Sequence, residues 1–425
     1  MTYYVVAAGI AALITFTLAI VILKLSHRYR LYPNIRERDV HTRPTPRLGG
    51  IAMFLGIVTA FWVASQLPQF SLIFADPGPV IAIIVAAFMI TALGVADDIW
   101  DLDWLTKLAG QMIAAGILVW QGVQLVTLPI GGVTIVPPVL GLVLTVVAVV
   151  LVMNAVNFID GLDGLVTGVV LIANGAFFIY TYVLTTSIQT QSEYFNLASL
   201  ISAILMGACV GFLPLNWHPA KMFMGDAGAL LLGLLMAASA VSVTGQVDPG
   251  TLTSGRYLLP ALIPILLPLA VLIVPLLDFG LAVSRRLRAG KSPFSADRKH
   301  LHHRLLDMGH SHLHAVLIFY AWTTTVSVGL LALLFVPPAQ TGWLVVLLVA
   351  AFAVCSVITF APLSRRKALE AAVQHASPAD AISAQAGRFD PLDAAANDEP
   401  TDREHSADGQ AAEAALLDAL RKEPS

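Results

Sequence analysis

Charge is scarce in this sequence. Only 12% of its 425 residues are Asp, Glu, Lys or Arg, whereas an ordinary soluble domain carries about 25%. With 57% hydrophobic residues and a mean hydropathy of +0.79, the chain is expected in a bilayer, not in solution. Its formal net charge of -3 says little about partners, since in such a chain the side of the membrane each charge occupies is what matters, and no nucleic-acid partner is expected. Cysteine is nearly missing too. Cys209 and Cys355 both fall in apolar runs, which excludes a disulfide framework or a metal-spaced cysteine pair and leaves two small buried hydrophobes. No basic residue precedes the first apolar run, roughly Tyr4 to Leu25, so a retained first span is expected and not a cleaved signal peptide. No internal repeat is evident.

What is abundant is apolar run. Counting runs of spanning length predicts an all-α, polytopic integral membrane protein with about eleven transmembrane helices, centred near residues 14, 58, 87, 115, 147, 175, 206, 235, 270, 325 and 351. Gly131, Gly132, Pro137 and Pro138 interrupt the region between the fourth and fifth. The segment "KLSHRYRLYPNIRERDVHTRPTPR" (24 to 47) is strongly basic, and the positive-inside rule makes it cytoplasmic. The N-terminus is then outside and the C-terminus cytoplasmic. Alternating the spans leaves every Lys and Arg except Arg256 on the cytoplasmic side or at its boundary. Beyond residue 361 the composition turns to Ala, Asp, Glu and small polar residues. This divides the chain into a membrane domain, 1–361, and a disordered cytoplasmic tail, 362–425.

The polar clusters then fall on one side of the membrane. They are "HTRPTPRLGG" (41 to 50), "GVADDIWDLDWLTKLAGQ" (94 to 111), "NAVNFIDGLDGL" (154 to 165), "NWHPAKMFMGDAGALLLG" (216 to 233) and "SADRKHLHHRLLDMGHSH" (295 to 312), all at cytoplasmic ends of spans. A carboxylate within a span costs ~2.5 to 3.5 kcal/mol at its centre and less toward its ends, so Asp97 and Asp98 need a partner or a role, or else headgroup water. Asp101 and Asp103 read as loop or interface residues. Asn154, Asn157, Asp160 and Asp163 recur every three residues, which on a helix keeps neighbours on one slowly drifting face, while Gly161 and Gly164 favour a break. Such oxygen-rich faces suit Mg²⁺, or a polar network that glues helices together. Asp226, between Gly225 and Gly228, reads either as a helix cap or as part of a phosphate site.

His300, His302 and His303, with Arg298, Lys299 and Arg304, suit an anionic substrate such as a diphosphate; His310, His312 and His314 follow. A basic membrane-surface loop accounts for Arg285, Arg286 and Arg288 but poorly for the histidines. Carboxylates, amides, cations and histidines at one membrane face are the inventory for phosphoryl transfer from a soluble nucleotide to a lipid phosphate.

Together and in this order, "DD", "NAVNFIDGLDGL", "FMGDAG" and "HLHH" resemble the polyprenyl-phosphate N-acetylhexosamine-1-phosphate transferase family over about residues 41 to 315. The "HLHHRLLDMG" loop is most similar to the undecaprenyl- and decaprenyl-phosphate N-acetylglucosaminyl-1-phosphate transferases. The resemblance implies movement of GlcNAc-1-phosphate from UDP-GlcNAc to a polyprenyl phosphate with release of UMP, in a bacterial plasma membrane, with Mg²⁺ (or Mn²⁺) as cofactor and a homodimer as the assembly. It implies metal ligation by Asn157 and Asp226, and engagement of the lipid phosphate by Asp97 and Asp98. By the same resemblance, Lys107 lies near the diphosphate, Asp160 and Asp163 in the metal and nucleotide region, and Asn216 and Phe223 near the uridine, with His300, His302, His303 and Arg304 at the sugar-nucleotide phosphates. The catalytic set so implied is Asp97, Asp98, Asp160, Asp163, His302 and His303.

The phospho-MurNAc-pentapeptide transferase branch shares the other motifs but has lysine-rich sequence before its "TPxxGG" motif. Here that stretch is "HTRPTPRLGG", which leaves Arg43 and Arg47 both as candidates for substrate contact. Outside enzymes, the rival is an ion-coupled secondary transporter. Transporters bind near the bilayer midplane, often between repeated halves, whereas these clusters gather on one side. A membrane scaffold would explain the tail but none of the motifs.

Overall fold

The computed structural model describes residues 1–29, 45–128, 134–187, 193–244, 310–335 and 341–360, with isolated positions between 266 and 305. Their elements, in chain order, are α1 (Thr2–Tyr29), α2 (Gly49–Ser65), α3 (Ser71–Ala75), α4 (Gly78–Trp100), α5 (Trp104–Trp120), a hairpin of β1 (Thr127–Leu128) and β2 (Thr134–Ile135), α6 (Pro138–Phe158), α7 (Leu165–Ser187), α8 (Glu193–Asn216), α9 (Gly225–Thr244), α10 (His312–Phe335) and α11 (Thr341–Phe360). The fold is therefore helical and polytopic. Eight helices among the described residues are long and apolar enough to cross a membrane: α1, α4 and α6 through α11. A ninth is added if α2 and its continuation to Ala75, bent by 92°, form one broken span.

Ten of the eleven expected centres fall on described helices, and the one near residue 270 lies outside the described residues. The expected fourth span is corrected in length. At 17 residues, α5 rises about 26 Å, short of the ~30 Å hydrocarbon core, because the chain leaves the helix at Trp120 and enters the hairpin. The tail at 362–425 lies outside the described residues. Cys209 and Cys355 are buried and unbridged, as expected.

Local chemistry sets the helix ends. Pro79 and Pro138 stand in the first turns of α4 and α6, where a missing N–H costs nothing. Asp101, at φ 51°, stops α4 in a left-handed turn, and Asp103 caps α5 by accepting the N–H groups of Leu105 and Thr106, each at 3.0 Å. The Thr106 hydroxyl, with those two N–H groups behind it, holds the Asp103 carboxyl below its ordinary range.

Helix α9 is the hub, packed against α2, α4, α6, α7 and α8 and buried along its whole length. A helix buried all round must be apolar on every side, and "GALLLGLLMAASAVSV" meets that demand. Small residues set the closest crossings. A Cβ on Gly94 of α4 would overlap the backbone at Ala227, and one on Gly50 would overlap Gly228. These contacts draw the C-terminal end of α4 and the N-terminal ends of α2 and α9 to one end of the bundle, where the polar clusters meet.

Candidate functional site

The first half of the site is built by the turn between α4 and α5. Asp97 is 2% exposed, so its charge is compensated on both oxygens: Oδ1 accepts the Leu102 N–H at 2.8 Å and Oδ2 accepts from Lys107 Nζ at 3.0 Å. Headgroup water therefore does not account for Asp97. Lys107 also lies 4.0 Å from Asp226 Oδ2 in the first turn of α9, so one ammonium faces two carboxylates from different helices.

Asp98, one residue on, points elsewhere. It accepts the backbone N–H of Ala227, and Arg47 is the cation beside it. Its Oδ2 is buried and has no hydrogen-bond partner among the described residues. Gly225 makes room for this carboxylate: its φ is +68°, and a Cβ there would overlap Asp98 Oδ2 and lie 2.5 Å from the Arg47 carbonyl oxygen. The segment carrying Arg47 is itself tied down. Phe223 N–H donates to Pro46 O at 2.9 Å, and the N–H groups of Gly49 and Gly50 donate to Phe223 O and Met224 O at 3.0 and 2.9 Å. Phe223 is half-buried. Arg43 lies outside the described residues.

The every-third-residue pattern in "NAVNFIDGLDGL" is not one helix face. Helix α6 ends at Phe158, so Asn154 and Asn157 are helical while Asp160 and Asp163 occupy the turn before α7. Asn154 donates to Gln111 Oε1 at 2.6 Å and so stitches α6 to α5, the helix-gluing role. Asn157 sits in the last turn of α6, and its carbonyl accepts the Asp160 N–H at 3.2 Å. Burial pushes the Asp160 carboxyl up to about 7, helped by the negative charges of Asp226 and Asp163 and opposed by Arg47.

Asp163 is buried and heavily used. Its Oδ2 lies 2.7 Å from His218 Nδ1 and accepts the Ala220 N–H at 3.0 Å, while its own N–H donates to His312 Nε2 at 3.3 Å. Asn216 is 3% exposed, and its amide is occupied by the scaffold. Oδ1 accepts from Gly164 N–H and Thr167 Oγ1, and Nδ2 donates to Met222 O at 3.1 Å. It thus holds the 160–164 turn against the loop before α9. Tyr320 of α10 latches the same turn by donating to Gly164 O.

The structure thus gathers Asp97, Asp98, Lys107, Asp160 and Asp226 around one point and sets Asp163 beside it. His300, His302, His303 and Arg304 lie outside the described residues. Sequence reasoning did not single out His218, Gln111 or Tyr320. The signal for His218 was a histidine in the "NWHPAK" loop, directly before "FMGDAG"; Gln111 and Tyr320 carry none.

Comparison with known proteins gives the family. Residues 80–244 match glycosyl transferase family 4. The chain is 41% identical over 361 residues to the decaprenyl-phosphate N-acetylglucosaminephosphotransferase of Mycobacterium leprae, covering 84% of this chain and 89% of that protein. It is 43% identical over 360 residues to the enzyme of the same name from Mycobacterium tuberculosis, with 84% and 88% covered. It is 31% identical over 320 residues to the probable undecaprenyl-phosphate N-acetylglucosaminyl 1-phosphate transferase of Bacillus subtilis, with 74% and 81% covered. The chain belongs to glycosyl transferase family 4, within its polyprenyl-phosphate N-acetylhexosamine-1-phosphate transferases.

Proposed function

We propose that this protein transfers GlcNAc-1-phosphate from UDP-GlcNAc to a polyprenyl phosphate and releases UMP, making the first lipid-linked intermediate of a cell-envelope polysaccharide. The observation that carries this reading is the convergence of Asp97, Asp98, Asp160 and Asp226 on Lys107 and Arg47 at one end of a membrane bundle. The relatives named above, at 41 and 43% identity, support the same donor and acceptor classes. The basic segment 24 to 47 leads into this end of the bundle at Arg47, which favours a site facing the cytoplasm, where a soluble sugar nucleotide is available.

The carboxylate cluster suits a hard divalent cation: its negative groups outnumber the facing cations among the described residues, and a buried Asp98 oxygen is left without a hydrogen bond. Asp226 and Asn157 would hold Mg²⁺, with Mn²⁺ as a substitute. Bound there, the ion would neutralise the diphosphate and favour attack at phosphorus.

The chain's own residues do the rest. Lys107, held in place by Asp97, offers its positive charge to the diphosphate, so Asp97 positions the lysine and does not itself react. Asp98 takes the proton from the lipid phosphate. An oxygen of that phosphate then attacks the β-phosphorus of UDP-GlcNAc in line, the bond from that phosphorus to the bridging oxygen breaks, and UMP departs with the electron pair. The position of these groups at the ends of helices long enough to span supports an acceptor whose phosphate lies at headgroup level.

The test is to incubate purified protein with UDP-GlcNAc, a polyprenyl phosphate and Mg²⁺ and to follow UMP release and sugar in the organic-extractable lipid. Both products are expected, and both should vanish with EDTA. Folded protein that forms neither would refute the reading.

A further inference from the structure

Beside the carboxylate cluster lies a second group of donors, to which the steps written above assign no part. Asp163 comes from the turn after α6, His218 from the loop before α9 and His312 from the first residue of α10. One ligand atom from each lies within 4.8 Å of the others. We propose that Asp163, His218 and His312 form a second divalent-metal site, of the zinc class and separate from the carboxylate site.

Three features of the geometry carry this. First, the ligand atoms converge. His312 Nε2 accepts the Asp163 N–H over a long 3.3 Å, so that nitrogen is unprotonated and a metal would take its lone pair from a weak hydrogen bond. His218 Nδ1 lies 2.7 Å from Asp163 Oδ2, where a metal would replace the proton shared between them. Ligands at ~2.0 to 2.1 Å from a tetrahedral ion stand roughly 3.3 Å apart, a spacing intermediate between the 2.7 Å pair and the 4.8 Å limit of the group. Small side-chain rotations would suffice.

Second, the carboxylate is already oriented. Asp163 is 3% exposed and the Ala220 N–H fixes its Oδ2 at 3.0 Å, the kind of outer hydrogen bond that holds a ligating carboxylate in place. The two imidazoles are also held together, stacked with centroids 4.8 Å apart and planes at 17°. Two imidazolium ions would repel in that arrangement, whereas two neutral rings sharing an ion would not.

Third, the donor set selects the metal. Two imidazoles with one carboxylate suit zinc and its neighbours, while Mg²⁺ prefers oxygen. The carboxylate cluster contains no histidine among the described residues, so the two sites differ in chemistry although the Asp160–Asp163 turn borders both. The His218 side chain is 42% exposed, which leaves an open side for a fourth, exchangeable ligand such as water or a phosphate oxygen. Such an ion would pin together three segments that are distant in sequence.

The test is metal binding by the full-length protein in detergent and does not depend on turnover. EDTA-stripped protein is desalted, given Zn²⁺ or Co²⁺ in the presence of excess Mg²⁺, desalted again and assayed for retained metal. About one equivalent of Zn²⁺ is expected in the wild type and in Asp226→Asn, with loss in His218→Ala and His312→Ala. X-ray absorption on the wild-type zinc form should show two imidazole nitrogens at ~2.0 to 2.1 Å, a result that needs no variant to fold. Wild type retaining no zinc against Mg²⁺, zinc retained by both histidine variants, or zinc lost in a folded Asp226→Asn would each overturn the proposal and leave His218 and Asp163 as an ion pair only.

Discussion

Lys107 Nζ lies 3.0 Å from Asp97 Oδ2, and this pair connects the α4–α5 turn to the hub helix, because the same ammonium is 4.0 Å from Asp226. Removing the ammonium leaves the buried Asp97 carboxylate without its ion pair and, in the proposed reaction, takes one cation from the diphosphate. Lys107→Ala is expected to lower UMP release by about 10²-fold or more, in line with the loss of one preorganised electrostatic group. Lys107→Arg should recover only part of this, since the longer planar fork cannot occupy the same point between Asp97 and Asp226. Full activity in Lys107→Ala would show that the pair is merely structural.

Gly225 combines a left-handed backbone with close approach to Asp98. In Gly225→Ala the backbone term alone costs about 1 to 2 kcal/mol, and the methyl must also displace the carboxylate. A lower melting temperature and at least a tenfold loss of turnover are expected, read by thermal unfolding in detergent and by UMP release. Unchanged values for both would mean that this turn readily relaxes.

Asn154 and Gln111 satisfy each other between α6 and α5. Asn154→Leu alone strands the Gln111 amide and should cost about 1 to 3 kcal/mol, whereas the double variant Gln111→Leu, Asn154→Leu should recover most of it. Turnover per folded molecule should survive in both. Strictly additive losses in a denaturation series would contradict the pairing.

Asp160 supplies a pH dependence whose sign follows from its carboxyl standing at about 7 in the folded protein. Its unfolded value is about 3.9, so between about pH 4 and about pH 7 the folded state holds the extra proton and stability falls as pH rises. EDTA-treated protein should therefore melt at a higher temperature near about pH 5.5 than near about pH 7.5, and Asp160→Asn should flatten that slope. An equal slope in the variant would remove Asp160 as its source.

Which helices form was legible because spanning is a local property: a run of about 20 apolar residues must satisfy its own backbone hydrogen bonds in lipid, and no distant partner changes that. The ten described helices at expected centres follow from this, and so does the collection of polar motifs at one end. Length was less legible at α5, where a helix of 17 residues and a bilayer span differ by only a turn. The break after Phe158 was signalled by Gly161 and Gly164, but the sequence spacing alone kept Asn154 and Asp163 on one face.

Local composition is enough to read a polytopic helical protein with carboxylates, amides and a lysine at one end. What each of those groups does is set by long-range packing. Asp97 and Asp98 are adjacent, yet a helix turns by about 100° per residue, so one meets Lys107 while the other faces Gly225 and Ala227. Asp163 finds His312 across 149 residues of chain. That pair is brought together by α10 packing on α7, where a Cβ on Gly168 would overlap the Tyr320 ring, just as the crossings at Gly50 and Gly94 bring α2 and α4 onto α9; such packing depends on several helices at once, which no local pattern records.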